Sequence, residues 1–167
     1  MIAALSVVVM LITYFSNVFI YLAPEIAGLL LVAILEEMGT KWAFGTFAAI
    51  SLLSLFIIAD KEAAVYYTMF FGYYPIVRIL LARKIKSKAP ALILGCVLFN
   101  VAITLSILFC AFVLHIDYSE IYEKGKIFLL IFMIAMNIIF FGYDHLLLSA
   151  HVLYRNKIKK KVKKLFK

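Results

Sequence analysis

The chain has 167 residues, of which 66% are hydrophobic and 16% are charged, and its mean hydropathy is +1.08. These few charged side chains could not cover the surface of a soluble domain of this size without exposing large apolar patches, so we expect a polytopic membrane protein. The net charge of +8 does not indicate nucleic-acid binding, because 8 of the 17 basic residues lie in the last thirteen positions.

Charged residues and prolines divide the chain into six apolar stretches, each a candidate for a transmembrane helix. The predicted spans are Ile2–Leu22, Ile26–Leu35, Trp42–Ala59, Ala63–Leu81, Ala89–Ile116 and Ile127–Tyr154. The predicted fold class is therefore all-α, with one six-helix transmembrane domain over residues 1–154 and a basic tail over 155–167. Pro24 and Glu25 separate the first two spans. The second is so short that the sequence does not decide whether it crosses the membrane. A cleaved signal peptide is the alternative for the first, but Met1–Ser6 carries no basic residue.

The distribution of Lys and Arg predicts the orientation, because cytoplasmic loops of membrane proteins are enriched in both. With the tail inside and six alternating spans, 14 basic residues face the cytoplasm and three, Lys61, Lys124 and Lys126, face outward. The protein is then expected in the cell membrane, with both termini on the cytoplasmic side. The tail is an amphipathic segment whose lysines are expected to lie on anionic lipid. These lysines are Lys159, Lys160, Lys161, Lys163 and Lys164.

Two stripes at helical spacing predict an ion pair between the fourth and sixth spans. The stripes are Tyr67, Phe71, Tyr74 and Arg78 in the fourth span, and Asn137, Phe141, Asp144, Leu148 and His151 in the sixth. A carboxylate facing lipid costs roughly 2.5 kcal/mol or more, so Asp144 is expected to face the bundle and meet Arg78. The pair is interpreted as a structural clamp, with a conformational or proton-linked switch and an unpaired interfacial Asp144 as alternatives.

Two further patterns predict helix packing. Asn100 and Asn137 lie at matching depth in the last two spans, where they are expected to hydrogen-bond as packing groups or to contact a ligand. Gly45 and Ala49 in the third span form a small-xxx-small step, with Ala48, Ser51 and Ser54 nearby. Such a step lets helix backbones approach closely, either inside the monomer or on a partner protein.

Polar and aromatic residues are expected to gather on the outer side. Asn17, Tyr21 and Glu25 follow one another at four-residue steps, and several others fall near the same surface. These others are Tyr66, Tyr67, His115, Tyr118 and Tyr122. The group predicts either the rim of an external cavity or an aromatic belt. The spacing of His115, Asp117 and Glu120 fixes no coordination geometry, so no metal site is expected.

Catalytic motifs are absent from the sequence, which has no phosphate-binding G-x-x-x-x-G-K-[ST] loop, no G-x-S-x-G elbow and no H-E-x-x-H helix. We therefore expect neither an enzyme nor a cofactor. Glu36-Glu37, Lys41, Phe141 and His145 resemble part of the pattern of CAAX-processing intramembrane glutamate proteases. Lys41 stands where that pattern has arginine, and no H-x-x-x-N element accompanies it.

A resemblance is carried by the run Ala27-Gly28-Leu29-Leu30-Leu31 and by Gly39-Thr40-Lys41-Trp42-Ala43 at the start of the third span. With six short spans, these segments resemble the substrate-binding S components of energy-coupling factor transporters, which show A-G-L-L-x-G and then G-P-K-x-G-A. Thr40 replaces the proline of that pattern, and the A-x-x-x-A step of the first span is absent. The resemblance implies capture of a small vitamin-like molecule in an outward cavity, with a transmembrane coupling subunit and two ATPases supplied in trans.

Under this resemblance the substrate-binding residues are expected in the outer half of the bundle. They are Asn17, Tyr21, Glu25, Tyr66 and Tyr67, with Asn100 and Asn137 at the floor of the cavity. The alternative is a non-transporting scaffold of the bacterial cell envelope, similar in size and span count to membrane proteins that determine cell shape. A co-purifying small molecule or a neighbouring ATPase gene would favour transport, and neighbouring cell-envelope genes would favour a scaffold.

Overall fold

The computed structural model describes residues 1–15, 19–85, 88–116, 118 and 125–158, and all regular structure in this part of the chain is helical. The helices are α1 (Ile2–Leu11), α2 (Phe19–Glu37), α3 (Thr40–Ile57), α4 (Lys61–Tyr66), α5 (Tyr74–Lys84), α6 (Lys88–Phe112) and α7 (Gly125–Leu153). A 3-10 turn, Ile12–Phe15, extends α1, a π turn, Tyr67–Phe71, follows α4, and another, Tyr154–Ile158, follows α7. Among the predicted site residues, Asn17 and the tail lysines 159–161, 163 and 164 lie outside the described residues.

Five segments are long and apolar enough to cross a membrane, as expected of a multi-pass membrane protein. They are Phe19–Glu37, Thr40–Ile57, Lys61–Lys84, Ala89–Phe112 and Leu130–Asn156. The first helix, Ile2–Phe15, is shorter. At 1.5 Å per residue it covers about 21 Å, less than the hydrocarbon thickness of roughly 30 Å. The all-helical membrane fold is therefore confirmed, whereas the described residues contain five full-length spans and not the expected six.

The predicted boundary between the first two spans is wrong. The sequence indicates a helix from Ile2 to Leu22 that ends before Pro24, but α1 with its 3-10 turn ends at Phe15, and α2 begins at Phe19 and contains Pro24. A proline near the start of a helix removes a single backbone hydrogen bond, and membrane helices tolerate this loss. The second segment is consequently a full-length helix of 19 residues.

The π turn between α4 and α5 arises beside a proline. The amide of Gly72 donates to the carbonyl of Tyr67 at 2.7 Å, five residues back. Pro75 has no amide proton, so the carbonyl of Phe71 lacks its usual helical donor four residues on. The Tyr143 hydroxyl donates to that carbonyl at 3.4 Å, and a Cβ atom at Gly28 would lie closer than 3.0 Å to it. Helices α2 and α7 therefore both contact the α4–α5 segment, Lys61–Lys84, at its π turn.

Buried aromatic rings around Phe70 form the centre of the bundle. The Phe70 ring stacks on Tyr74 with centroids 4.5 Å apart, and it meets Phe99 and Phe140 edge-on at 5.1 and 6.1 Å. Lipid offers no hydrophobic driving force between helices, so tight packing and ring geometry stabilise the assembly. The segment Lys61–Lys84 contributes most to this core and is the most buried of the five long segments.

Helix α2 and the α4–α5 segment run parallel to each other. The rings of Tyr21 and Tyr66 stack at 5.3 Å near one end, the Gly28 contact with Phe71 lies midway, and Glu36 pairs with Arg83 at the other end. Helix α3 connects them in between, as expected when consecutive segments cross the same layer in alternating directions. We refer below to the Tyr21 end and the Glu36 end of the bundle.

The structure shows which faces of α3 and α7 are buried in the bundle. Gly45, Ala48 and Ala49 of α3 are exposed, so the small-residue step does not pack inside the monomer, although Ser51 and Ser54 are buried. In α7 the buried residues are Met136, Phe140, Tyr143, Asp144 and Leu147, whereas Phe141 is 47% exposed. Lipid-facing and protein-facing sides of a membrane helix are both apolar, so hydropathy does not separate them.

Candidate functional site

Arg78 and Asp144 form the buried ion pair that the two stripes predict. The Arg78 Nε and Nη2 atoms donate to the two carboxylate oxygens of Asp144 at 2.6 and 3.0 Å, and the Tyr74 hydroxyl donates to Oδ1 at 2.7 Å. The side chains of Arg78 and Asp144 are 3% and 5% exposed. Three charge-assisted hydrogen bonds thus join α5 to α7 and leave each carboxylate oxygen occupied.

Both carboxylate oxygens of Asp144 are engaged within the protein, which indicates a structural role for the ion pair. A carboxylate with both oxygens bonded, in a two-pronged arginine contact, is held in one geometry. Asp144 has no oxygen left without a partner for a substrate, so the pair is best interpreted as a clamp between α5 and α7, and the unpaired alternative is excluded by the contact itself. The position predicted from sequence for each partner is therefore confirmed.

Asn100 and Asn137 hydrogen-bond reciprocally across α6 and α7. Asn100 Nδ2 donates to Asn137 Oδ1 at 2.9 Å, and Asn137 Nδ2 donates to Asn100 Oδ1 at 3.1 Å. Each amide also donates at 2.8 Å to the carbonyl four residues before it, that of Cys96 or Met133. The pair lines a shallow apolar groove with Leu130, Ile134 and Ile138, which are 53–66% exposed. The structure therefore places these residues at the bundle surface and not at the floor of a central cavity.

Removing one of the two asparagines is expected to weaken helix packing modestly. Asn100→Leu and Asn137→Leu should each lower the free energy of unfolding by about 0.6 to 2 kcal/mol, the range for interhelical hydrogen bonds in membranes. Reversible unfolding in mixed micelles measures this change, and the double variant should lose less than the sum of the two single losses. Strictly additive losses would show that the amides do not interact.

A group of phenols occupies the Tyr21 end. The ring of Tyr66 stacks on that of Tyr21, its phenol lies close to that of Tyr118, and the Tyr118 hydroxyl donates to the Glu62 carboxylate. Burial and the hydrogen bond to Glu62 raise the pKa of Tyr118 well above its usual value. Tyr66 is only 2% exposed, so these rings pack against one another and do not form a belt at the lipid surface. Tyr122, Asp117 and Glu120 lie outside the described residues.

Glu25 lies one helical turn deeper than Tyr21 on α2, and Tyr67 directly follows Tyr66 on the neighbouring segment. Glu25 precedes Gly28 by three residues and Tyr67 precedes Phe71 by four, so both lie on the same side of the contact between Gly28 and Phe71, at matching depth. Glu25 Oε1 and the Tyr67 hydroxyl are buried and have no hydrogen-bond partner among the described residues. Buried polar atoms are normally satisfied, so these two atoms mark a candidate binding site.

A second polar group at the Glu36 end was not predicted as a site. Glu36 accepts from Arg83 and lies 3.4 Å from His151 Nδ1, and the Tyr154 hydroxyl donates to Glu37 at 3.3 Å. These contacts join α2, α5 and the end of α7. The sequence signal for these contacts is weak: charged residues follow the second, fourth and sixth predicted spans, which all end on the predicted cytoplasmic side.

The resemblance to intramembrane proteases predicts that His145 would approach the Glu36-Glu37 pair. His145 is instead exposed, and the histidine near Glu36 is His151. His145 and His151 are six residues apart, which places them on different faces of one helix. The structure thus does not bring the protease-like residues together.

Some members of the Tyr21-end group were missed or only partly identified from sequence. Glu62 reads as a solvated loop charge, although it precedes Tyr66 by four residues and therefore shares its helix face. Cys110 of α6 also lies close to Tyr118. Comparisons with protein-family models, with curated proteins and with solved structures found no match to this chain.

Proposed function

We propose that this protein is the membrane-embedded, substrate-binding subunit of an uptake transporter for a small, vitamin-like molecule. One observation carries the proposal: Glu25 and Tyr67 hold two buried polar atoms at the same depth on neighbouring parallel helices, and neither atom has a partner among the described residues. A static bundle would satisfy such atoms internally. A bound ligand supplies the missing partners, and the stacked pair of Tyr21 and Tyr66 flanks its path from the Tyr21 end.

The energy for uptake comes, in this proposal, from partner proteins. A transmembrane coupling subunit and two ATPases act in trans, as the resemblance to S components implies, and the chain itself needs no cofactor. The protein lies in the cell membrane with both termini cytoplasmic and the Tyr21 end facing outward. The lysine-rich tail lies on anionic lipid at the inner surface. The distribution of basic residues along the sequence supports this orientation.

The test is a thermal-shift screen of the purified full chain against water-soluble vitamins and their precursors. A compound that binds should raise the melting temperature saturably, because ligand binding to the folded state stabilises it. Tyr67→Phe, which removes one unpartnered hydroxyl, should weaken that binding several-fold. Tyr14→Phe is the matched control, since Tyr14 is 80% exposed, and it should leave binding unchanged. A screen without any stabilising compound, or a compound equally bound by Tyr67→Phe, contradicts the proposal.

The alternative function is a non-transporting scaffold of the cell envelope. The exposed small residues Gly45, Ala48 and Ala49 favour it, because such a face lets a helix of another protein approach closely. In that case no vitamin or precursor stabilises the chain, and Gly45→Leu separates it from its membrane partners in detergent extracts while leaving the melting temperature unchanged.

A further inference from the structure

The candidate site lacks a positive charge. Glu25 Oε1 is buried, and desolvating a carboxylate without a partner is expensive. Two basic groups, one at the Tyr21 end and one in the core, have other partners. Lys61 Nζ donates to the carbonyls of Leu55 and Ile58 at 2.9 and 2.8 Å, and Arg78 is held by Asp144. No ion pair to Glu25 forms within the described ranges of the chain. Among the described residues, Glu25 Oε1 therefore has neither a counter-charge nor a hydrogen-bond partner.

Aromatic faces lie beside this carboxylate. Tyr21 is one helical turn before Glu25 on α2, and its ring stacks on that of Tyr66 at 5.3 Å. Tyrosine faces attract organic cations within about 6 Å of the ring centroid. The Tyr67 side chain is fully buried and its hydroxyl has no partner among the described residues. A phenol oxygen can accept a hydrogen bond from an ammonium group or donate one to a carboxylate.

The electrostatics of the Tyr21 end add to this preference. Asp60 and Glu62 open α4 there, and Lys61, between them in sequence, is bound to backbone carbonyls. The Tyr143 hydroxyl donates to the Phe71 carbonyl at 3.4 Å and lies against Gly28, so α7 approaches α2 and the α4–α5 segment about one turn from Glu25 and Tyr67. Carboxylates along the entry and in the site repel anions and concentrate small cations.

We propose that Glu25, Tyr67 and the stacked rings of Tyr21 and Tyr66 bind a small organic cation, either a protonated amine or a quaternary ammonium. The cationic group lies at the Glu25 carboxylate, and its apolar part lies against the two stacked rings. This inference rests on the proposed function and names the substrate class of the same site. The competing explanation, a protonated Glu25 carboxyl that needs no ligand, is one outcome of the test.

The experiment uses the detergent-purified full chain and two matched pairs of probes. Choline is compared with its neutral carbon isostere 3,3-dimethylbutan-1-ol, and phenethylamine with 2-phenylethanol. At least one cation should raise the melting temperature saturably, and its neutral isostere should not. Glu25→Gln should weaken cation binding at least tenfold and Tyr67→Phe several-fold. Glu37→Gln, at the opposite end of the bundle beside Tyr154, should bind as the wild type does.

The outcomes separate this inference from the proposed function. If neither cation binds, or if Glu25→Gln binds cations as tightly as the wild type, the cation assignment is wrong. If Glu25→Gln raises the melting temperature and no cation binds, Glu25 is a protonated packing residue and the assignment is again wrong. A neutral or anionic vitamin that binds through Tyr67 would still support uptake, whereas a cation bound by a chain that associates with no ATPase would support the site and contradict the transporter.

Discussion

Replacing Asp144 with alanine is expected to lower the free energy of unfolding by about 3–5 kcal/mol, the cost of leaving one buried charge without its partner. The Arg78 side chain is 3% exposed and donates two hydrogen bonds to Asp144. The Tyr74 hydroxyl would lose its acceptor as well. Water cannot reach these groups in the middle of the bundle, so nothing replaces the lost bonds. Reversible unfolding in mixed micelles, or a large drop in melting temperature, measures the effect.

The matched control removes both charges together. Arg78→Met combined with Asp144→Leu should recover most of the loss, because replacing a whole buried pair with apolar residues of similar size is often neutral. Tyr74→Phe alone should cost about 1 kcal/mol, the usual net value of one hydrogen bond. A double variant no more stable than Asp144→Ala would show that the pair is not what the single variant disrupts. A loss below about 1 kcal/mol for Asp144→Ala would mean that Arg78 finds another partner.

The ion pair could be predicted because charge inside a membrane leaves few choices. A buried arginine and a buried aspartate each need a partner, and helical spacing fixes the face on which each lies. The pairing of Asn100 with Asn137 follows from the same reasoning, since two amides at one depth satisfy each other. The membrane class likewise follows from composition. In each of these cases a single strong energetic requirement selects the structure.

Other features depend on forces that the sequence pattern does not display. Helix α1 with its 3-10 turn ends at Phe15, well before the predicted boundary, and Pro24 lies inside α2 instead of before it. No charged residue lies between Met1 and Pro24, so charge does not mark where α1 ends or where α2 begins. Phe141 was expected to face the bundle but is exposed, because lipid accepts apolar residues as readily as the protein interior does. Only tertiary packing decides which apolar face turns inward.

The candidate site was predicted in composition but not in geometry. Sequence spacing places Tyr21 and Glu25 on one face of α2, and the structure brings that face to Tyr66, the residue before Tyr67. The π turn sets the orientation of Tyr67 and the following residues. Pro75 is the residue in the sequence that relates to it, but Pro75 does not by itself predict a π turn. A proline predicts that a backbone bond is lost, but it does not predict whether a kink, a 3-10 turn or a π turn absorbs the loss.

Gly28→Ala is expected to destabilise the bundle by about 3 kcal/mol, at the upper end of the cost of overpacking. A Cβ atom there would lie closer than 3.0 Å both to the Phe71 carbonyl oxygen and to the Tyr143 hydroxyl. The carbonyl oxygen belongs to the backbone of the π turn and cannot rotate away, so α2 must move away from the α4–α5 segment. Because Glu25 and Tyr67 lie one turn away on these two segments, the same change should also weaken ligand binding at the candidate site.

Gly45→Ala is the matched control, since it makes the same substitution inside a helix where a Cβ atom would have nothing within 4 Å. Alanine is preferred over glycine within helices by roughly 0.5–1 kcal/mol, so this variant should be neutral or slightly stabilised. The difference between the two variants isolates the helix contact from helix propensity. Equal unfolding free energies for Gly28→Ala and Gly45→Ala would contradict the close approach of α2 to Phe71, and with it the matching depth of Glu25 and Tyr67 on which the candidate site depends.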